Sequence, residues 1–216
     1  MLKVGCTTPV TQKMLSVAEP IGGRLVAEQV YSSGASIPMS TFNHQPLIEC
    51  EFAFRVAATL EADGVAVDMA RLRTVVDAVA PAIELVDNRF DKQLGVDGPS
   101  IVADNSMATA VVLGRPRLLG TEIDGDSLAS TTVRLCTDDD DSESIANGIG
   151  AEVLGDPWVS LLWAIDHEKR LGGAIDAGTW VITGSCAGAP PVPLDQRLTA
   201  RFPGLGEVSV TIVSAG

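Results

Sequence analysis

The run Leu47–Val56 is apolar except at Glu49, Glu51 and Arg55, and its two glutamates constrain the fold more than any other feature. Strand side chains alternate between faces. Ile48, Cys50, Phe52, Phe54 and Val56 therefore point one way, and Glu49, Glu51, Ala53 and Arg55 the other. Carboxylates two residues apart have Cα atoms roughly 6.5–7 Å apart and can lean onto one cation. Without a cation, two anions side by side on a largely buried strand are costly, and one must stay protonated. An edge strand whose acids face water satisfies the same pattern. A second apolar run, Ile83-Glu84-Leu85-Val86-Asp87, offers a third acid. Together they would make an all-oxygen site of the kind Mg²⁺ or Mn²⁺ prefers.

The composition excludes several classes. A chain of 216 residues with 46% apolar residues can build one full core or two small ones. The formal net charge of −13 argues against a nucleic-acid partner, which needs a basic surface. A small anionic substrate stays possible, because a bound divalent cation would reverse the local field. Cysteines stand singly at 6, 50, 136 and 186, with no zinc-ligand spacing, and read as reduced thiols. Only His44 and His167 are present, so a His-rich metal site is not available. There is no signal-peptide pattern and no apolar stretch near the ~20 residues of a membrane span. The expectation is a cytoplasmic protein with no membrane partner.

Strand-like segments fall at 24–30, 47–56, 82–86, 100–103, 110–113, 131–136, 180–183 and 208–213, with turns at Ser32-Ser33-Gly34 and Pro38. Asp68 caps a helix carrying Met69, Leu72, Val75, Val76 and Val79 at helical spacing, and Pro81 stops it. Asp156-Pro157 opens a second helix with a buried stripe of Trp158, Leu161, Leu162 and Ile165, ending near Gly172-Gly173. Asn147-Gly148 is a hairpin signal. The four aspartates at 138–141 read as a solvated loop, because consecutive like charges repel. Many short strands with two main helices make a β-rich α+β domain.

Seven motifs in order then carry a resemblance. They are Lys3-Val4-Gly5-Cys6-Thr7-Thr8, Glu19-Pro20, Glu49-Cys50-Glu51-Phe52-Ala53-Phe54, the stretch from Pro81 to Arg89 with Ala103-Asp104-Asn105, Val112-Leu113-Gly114, the stretch from Gly150 to Pro157, and that from Ala177 to Ser185. The chain resembles the 2-keto-4-pentenoate hydratase and 4-oxalocrotonate decarboxylase group of the fumarylacetoacetate hydrolase superfamily, over nearly its whole length. The resemblance implies a mixed β-sandwich roll forming a single catalytic domain over residues 1–216. It implies a divalent metal, Mg²⁺ or Mn²⁺, held by Glu49, Glu51 and Glu84, with Asp87 as the rival third ligand. Lys3 matches the family's acid–base lysine; Asn105 and Ser185 match substrate-pocket segments. His44 and His167 match nothing catalytic.

The implied activity is a hydratase (hydro-lyase) of aromatic catabolism. It converts 2-hydroxypenta-2,4-dienoate or a similar 2-oxo acid to a 4-hydroxy-2-oxo acid through an enolate held at the metal. The alternatives are a 4-oxalocrotonate-type decarboxylase or a non-catalytic partner subunit of such a complex. A carbon–carbon hydrolase would need a His–acid pair, and His44 is a poor candidate. The resemblance also implies a homo-oligomer and association with a related decarboxylase or hydratase. Three departures stand out. The family's helical segment before the lysine is absent, Ile21 replaces an acid that follows the Glu-Pro pair, and Pro193-Leu194-Asp195 replaces a Pro-Gly-Asp turn.

Overall fold

A computed structural model of the chain describes residues 1–63, 65–92, 95–137 and 140–214, with the side chains of 140–143 excepted. In chain order the strands are β1 Leu2–Gly5, β2 Ile21–Arg24, β3 Val30–Ser32, β4 Ala35–Pro38, β5 Leu47–Val56, β6 Val76–Val86 and β7 Ala108–Leu113. They continue with β8 Arg117–Leu118, β9 Thr132–Thr137, β10 Asp140–Ile149, β11 Trp180–Ile182, β12 Arg197–Phe202 and β13 Gly206–Val213. The helices are α1 Pro9–Leu15, α2 Met69–Val75, α3 Gly98–Ala103 and α4 Pro157–Arg170.

The strands form two mixed sheets. One has the order β2-β1-β11-β5-β6-β7-β3, with β8 also paired to β6; the other runs β10-β9-β12-β13-β4. The main core lies between them. Ile48, Cys50, Phe52, Phe54 and Val56 of β5 all enter it, together with Leu198, Ala200 and Phe202 of β12 and Val208, Val210 and Ile212 of β13. Phe52 meets Phe202 edge-on across the two sheets, ring centroids 5.2 Å apart. The alternation read from the sequence of β5 therefore holds residue by residue. α4 closes one side of this core through Trp158, Leu161 and Ile165, and Phe54 packs against Trp158 at 4.6 Å.

Four local expectations fail for identifiable reasons. The helix capped by Asp68 ends at Val75, and Val76 and Val79 belong to β6. Pro81 sits inside that strand. Its carbonyl accepts from Gly114 at 2.8 Å, so its nitrogen also faces the gap between β7 and β8, where no ladder donor is needed. Residues 100–103 form α3 instead of a strand. Asp97 caps it by accepting from the Ser100 N–H at 2.9 Å, and Pro99 stands in its first turn, which outweighs the β-branched Ile101-Val102 pair. The early strand is Ile21–Arg24, and residues 27–29 form a 3₁₀ turn before β3. Asn147-Gly148 is not a turn but lies within β10, paired with Arg134 and Val133. A Cβ on Gly148 would stand 1.6 Å from the Cys186 carbonyl oxygen, so the glycine is required for a close approach. Of the acidic run at 138–141, Asp138 and Asp139 lie outside the described residues, and Asp140 and Asp141 open β10.

Candidate metal centre

Strand pairing brings the acids together. Glu49 on β5 stands directly opposite Glu84 on the antiparallel β6, and Glu51 stands opposite Ala82. All three side chains project from the face of β5 and β6 turned away from the main core, beside a floor of Ala53, Ala80 and Ala82. One carboxylate oxygen from each glutamate lies within 4.8 Å of the other two, the sole such cluster among the described residues. Glu51 and Glu84 are fully buried; Glu49 opens onto a cavity.

Lys3 joins them from β1. That strand is paired on both sides, with Gly23 of β2 and Ile182 of β11 as the partners of Lys3, so its third position from the terminus does not leave it frayed. The terminal ammonium itself donates to the Leu25 carbonyl at 3.0 Å. Lys3 is 4% exposed, and its Nζ lies 3.3 Å from Glu84 Oε1. Asp87, the rival third ligand, points elsewhere. It accepts from the backbone N–H groups of Asn43, His44 and Asn88 at 2.6, 3.0 and 2.9 Å, and so caps a turn. Arg89 pairs instead with Asp104.

The charge balance shows why this cluster fits a cation. Glu51 Oε1 and both oxygens of Glu84 are buried without a hydrogen-bond partner. Lys3 stands 3.3 Å from Glu84 Oε1 as an ion pair. With all groups ionised, three carboxylates and one ammonium leave two negative charges, which a divalent cation would cancel. Burial, reinforced by the charge of Glu84 and opposed by Lys3, pushes the Glu49 carboxyl up to about 7. Burial also raises Glu51 well above the carboxylate range, against the pull of the Gly184 N–H that donates to its Oε2 at 2.6 Å. Glu84 is raised by burial in the same way, with Lys3 opposing. For Lys3, burial acts downward, but the three glutamates outweigh it and its pKa is raised.

These shifts predict a proton balance. An acid whose folded pKa is raised binds protons more tightly folded than unfolded, so its stabilisation is full below pH 4.5 and is lost as pH rises toward 7. The melting temperature of metal-free protein should fall across that window, and less in Glu49→Gln than in the wild type. Titration with Mg²⁺ or Mn²⁺ at pH 6 should release roughly two protons, one from Glu49 and one from Glu51, seen as a buffer-dependent binding enthalpy that weakens as pH rises past 7. A buffer-independent enthalpy at pH 6 would show the carboxyls to be ionised before metal arrives.

Glu49 sits where two cavities meet. One, of about 380 Å³, is the more polar of the two: Thr7, Thr8, Thr11, Asn147, Glu152 and Ser185 line it. The other, of about 340 Å³, is lined by Lys3 and a largely apolar wall. Ser185 thus stands at the polar cavity, its hydroxyl donating to the Gly188 carbonyl at 2.5 Å. The loop that holds it turns at Gly184, whose φ of +96° and 2.5 Å clearance to Thr7 Cγ2 both require glycine. Asn105 is not brought to either wall. Its side chain accepts from the Arg24 N–H and donates to the Arg24 carbonyl at 2.8 and 2.7 Å, clamping the end of β2. Its neighbours Ser106 and Met107 reach the second cavity. Sequence reasoning missed Thr7, Thr11, Met107 and Glu152. Thr7 and Glu152 lie within motifs that carried the resemblance, but nothing in their spacing marks them as pocket residues.

The fold has counterparts among solved structures. A candidate fumarylacetoacetate isomerase/hydrolase from Oleispira antarctica superposes with a TM-score of 0.68 at 15% identity, over 98% of this chain and 92% of that one. No protein-family model matches the chain. Closer relatives narrow the assignment. A 2-keto-4-pentenoate hydratase of Burkholderia vietnamiensis is 32% identical over 209 residues, covering 97% of this chain and 76% of that enzyme. The 4-oxalocrotonate decarboxylase from Pseudomonas putida G7, solved with magnesium and adipate, superposes with a TM-score of 0.86 at 30% identity, over 98% of this chain and 77% of that one. The protein belongs to the 2-keto-4-pentenoate hydratase and 4-oxalocrotonate decarboxylase family, whose named members are lyases.

Proposed function

We infer that this protein is a divalent-metal-dependent hydratase. It would convert 2-hydroxypenta-2,4-dienoate or a similar 2-oxo acid to the 4-hydroxy-2-oxo acid, with residues 1–216 acting as one catalytic domain. The observation that carries this reading is the buried Glu49, Glu51, Glu84 and Lys3 cluster opening onto cavities that contain no spare cation. Lys3 is the sole basic side chain among the described residues lining either cavity. Arg24, Arg55 and Arg89 are engaged with Glu168, Asp77 and Asp104. A substrate with a second carboxylate, as a 4-oxalocrotonate-type decarboxylase requires, would meet no further basic side chain among the described lining residues.

Glu49, Glu51 and Glu84 would hold the cation, and Mg²⁺ or Mn²⁺ suits three carboxylate oxygens. When bound, it supplies Lewis-acid polarisation of the substrate's 2-oxygen. The chain's own residues do the rest. Lys3 delivers a proton to C5 as the 2-hydroxyl loses one, giving the conjugated 2-oxo-3-enoate. Water then adds at C4 and a proton at C3. Thr7, Asn147 and Glu152 line the polar cavity, and water can reach C4 from that side.

The test is a panel of 2-hydroxy-2,4-dienoates and 4-oxalocrotonate, assayed with Mg²⁺, Mn²⁺ and chelator. Metal-dependent loss of the dienoate with formation of the hydroxy-oxo acid is expected. Faster release of CO₂ from 4-oxalocrotonate would favour the decarboxylase reading. Metal binding without any turnover would favour the partner-subunit reading, to which the replacement of an acid by the buried Ile21 also points.

The chain should also assemble as a homo-oligomer. α1 has no buried residue, and Val10 and Met14 on it are 75% and 71% exposed, an apolar edge that a second subunit would cover. A mass of one 22.5 kDa chain in light scattering across micromolar concentrations would rule this out. No helix among the described residues is long and apolar enough to cross a membrane. Four free cysteines, three of them buried, suit a reducing cytoplasm, and the proposed substrate suits a role in aromatic catabolism.

A further inference from the structure

The second cavity is larger and less polar than a five-carbon dienoate needs. Met14, Leu15, Ile21, Val86, Ile101 and Met107 form most of its wall, and Lys3 and Glu49 stand at its inner end. Ile21 occupies one strand end of β2, and Ile101 comes from α3. Met107 is aimed there by an unusual backbone. Asn105, Ser106 and Met107 have φ of +56, +55 and +64°, three successive left-handed residues without a glycine. Such a conformation costs energy at each residue and persists only where the surroundings enforce it. Here the Asn105 amide clamp on Arg24 and the Ser106 hydroxyl, donating to the Gly22 carbonyl at 2.6 Å, hold it. Both hydrogen-bonding side chains are therefore spent on the turn, and the side chain left to face the cavity is a thioether. Among the described residues, the polar side chains on this wall other than Lys3 and Glu49 are Cys6, Thr11 and that committed Ser106.

We propose that this apolar lobe selects 2-oxo acids whose tail is an uncharged hydrocarbon larger than a vinyl group, an alkyl chain of several carbons or an aryl ring, and rejects tails ending in a carboxylate. The inference rests on the reading of the glutamate cluster as a metal-dependent 2-oxo acid site. The size supports it: an apolar cavity of about 150 Å³ holds a benzene ring, and this lobe measures about 340 Å³. The charge supports it as well. A tail carboxylate would lose its hydration against methionine, leucine, isoleucine and valine side chains, with no basic side chain but Lys3 among the described residues of the lining to replace it. The one ammonium nearby is already surrounded by three glutamates.

Saturated 2-oxo acids, which cannot be hydrated, separate this inference from the catalytic reading. Binding of 2-oxobutanoate, 2-oxohexanoate, 2-oxooctanoate, 4-phenyl-2-oxobutanoate and 2-oxoadipate is measured by calorimetry on the full chain with saturating Mg²⁺. Affinity is expected to rise by up to about fourfold per added methylene that enters the lobe, and 2-oxoadipate should bind at least about tenfold more weakly than 2-oxohexanoate of equal length. Good binding of all five acids with no dependence on the tail, or tighter binding of 2-oxoadipate to the wild type, would overturn the proposal and leave the 2-oxo acid reading standing. Binding of none of them in the presence of Mg²⁺ would overturn both.

Discussion

Glu51→Gln is expected to reduce metal-dependent turnover by on the order of 10³ or more while leaving the metal-free protein at least as stable as the wild type. The two halves of this result have separate causes. A Lewis acid contributes several kcal/mol to the reaction of a bound carbonyl, and each 1.36 kcal/mol is about a factor of ten in rate. Losing one anionic ligand of three should lower cation affinity enough to forfeit that contribution. Stability follows the opposite logic. In the metal-free protein burial holds the Glu51 carboxyl neutral, and Gln imitates the neutral acid. Its amide oxygen can still accept from the Gly184 N–H, now 2.6 Å from Oε2. Its NH₂ falls where Oε1 has no partner, beside two carboxyls able to accept. Thermal melts with and without Mg²⁺ read both effects. The wild type should gain about 2.7 kcal/mol at a metal concentration of 100 Kd, and the variant little or nothing. Unchanged metal affinity in Glu51→Gln, or an ordered cation held by other residues, would defeat the assignment.

How far the site was legible in the sequence depends on the range of the interactions involved. The alternation of β5 is local, so the faces of Glu49, Glu51, Phe52 and Phe54 followed from the residues alone. Choosing Glu84 over Asp87 needed more. The register that sets Glu84 opposite Glu49 joins strands far apart in sequence, and the resemblance supplied it where periodicity could not. The errors cluster where a local signal met a stronger distant one. Pro81 reads as a helix stop, yet the sheet tolerates it because the gap between β7 and β8 asks for no donor there. Asn147-Gly148 reads as a turn, yet the glycine serves the approach of the Cys186 carbonyl, a contact no window of β10 contains. The left-handed run at 105–107 had no local signal, since no glycine marks it. Consequently the apolar lobe beside Lys3 was invisible until the strands were paired.

Lys3→Met should slow ketonisation of a 2-hydroxydienoate by about 10²–10⁴, the usual worth of a positioned acid–base group, with metal binding and oligomeric state preserved. Met keeps much of the stem that packs between β2 and the glutamate cluster, so β1 should stay paired to Gly23 and Ile182. What disappears is the ammonium 3.3 Å from Glu84. Without it the carboxyls lose a favourable charge, and their pKa values should climb further in the metal-free protein. Cation binding should then shift to higher pH by the same sign argument that applies to Glu49, because more protons must leave before metal can enter. This predicts a split that a purely structural lysine would not give. At pH 8 with saturating Mg²⁺ the variant should bind metal and 2-oxo acids with near-wild-type affinity, yet exchange the protons of a bound 2-oxo acid with deuterium far more slowly. Proton exchange followed by NMR reads this step directly, without requiring hydration to be complete. A rate within threefold of the wild type would remove Lys3 from proton transfer. Its burial against three glutamates would then be a matter of charge balance alone, and the partner-subunit reading would gain accordingly.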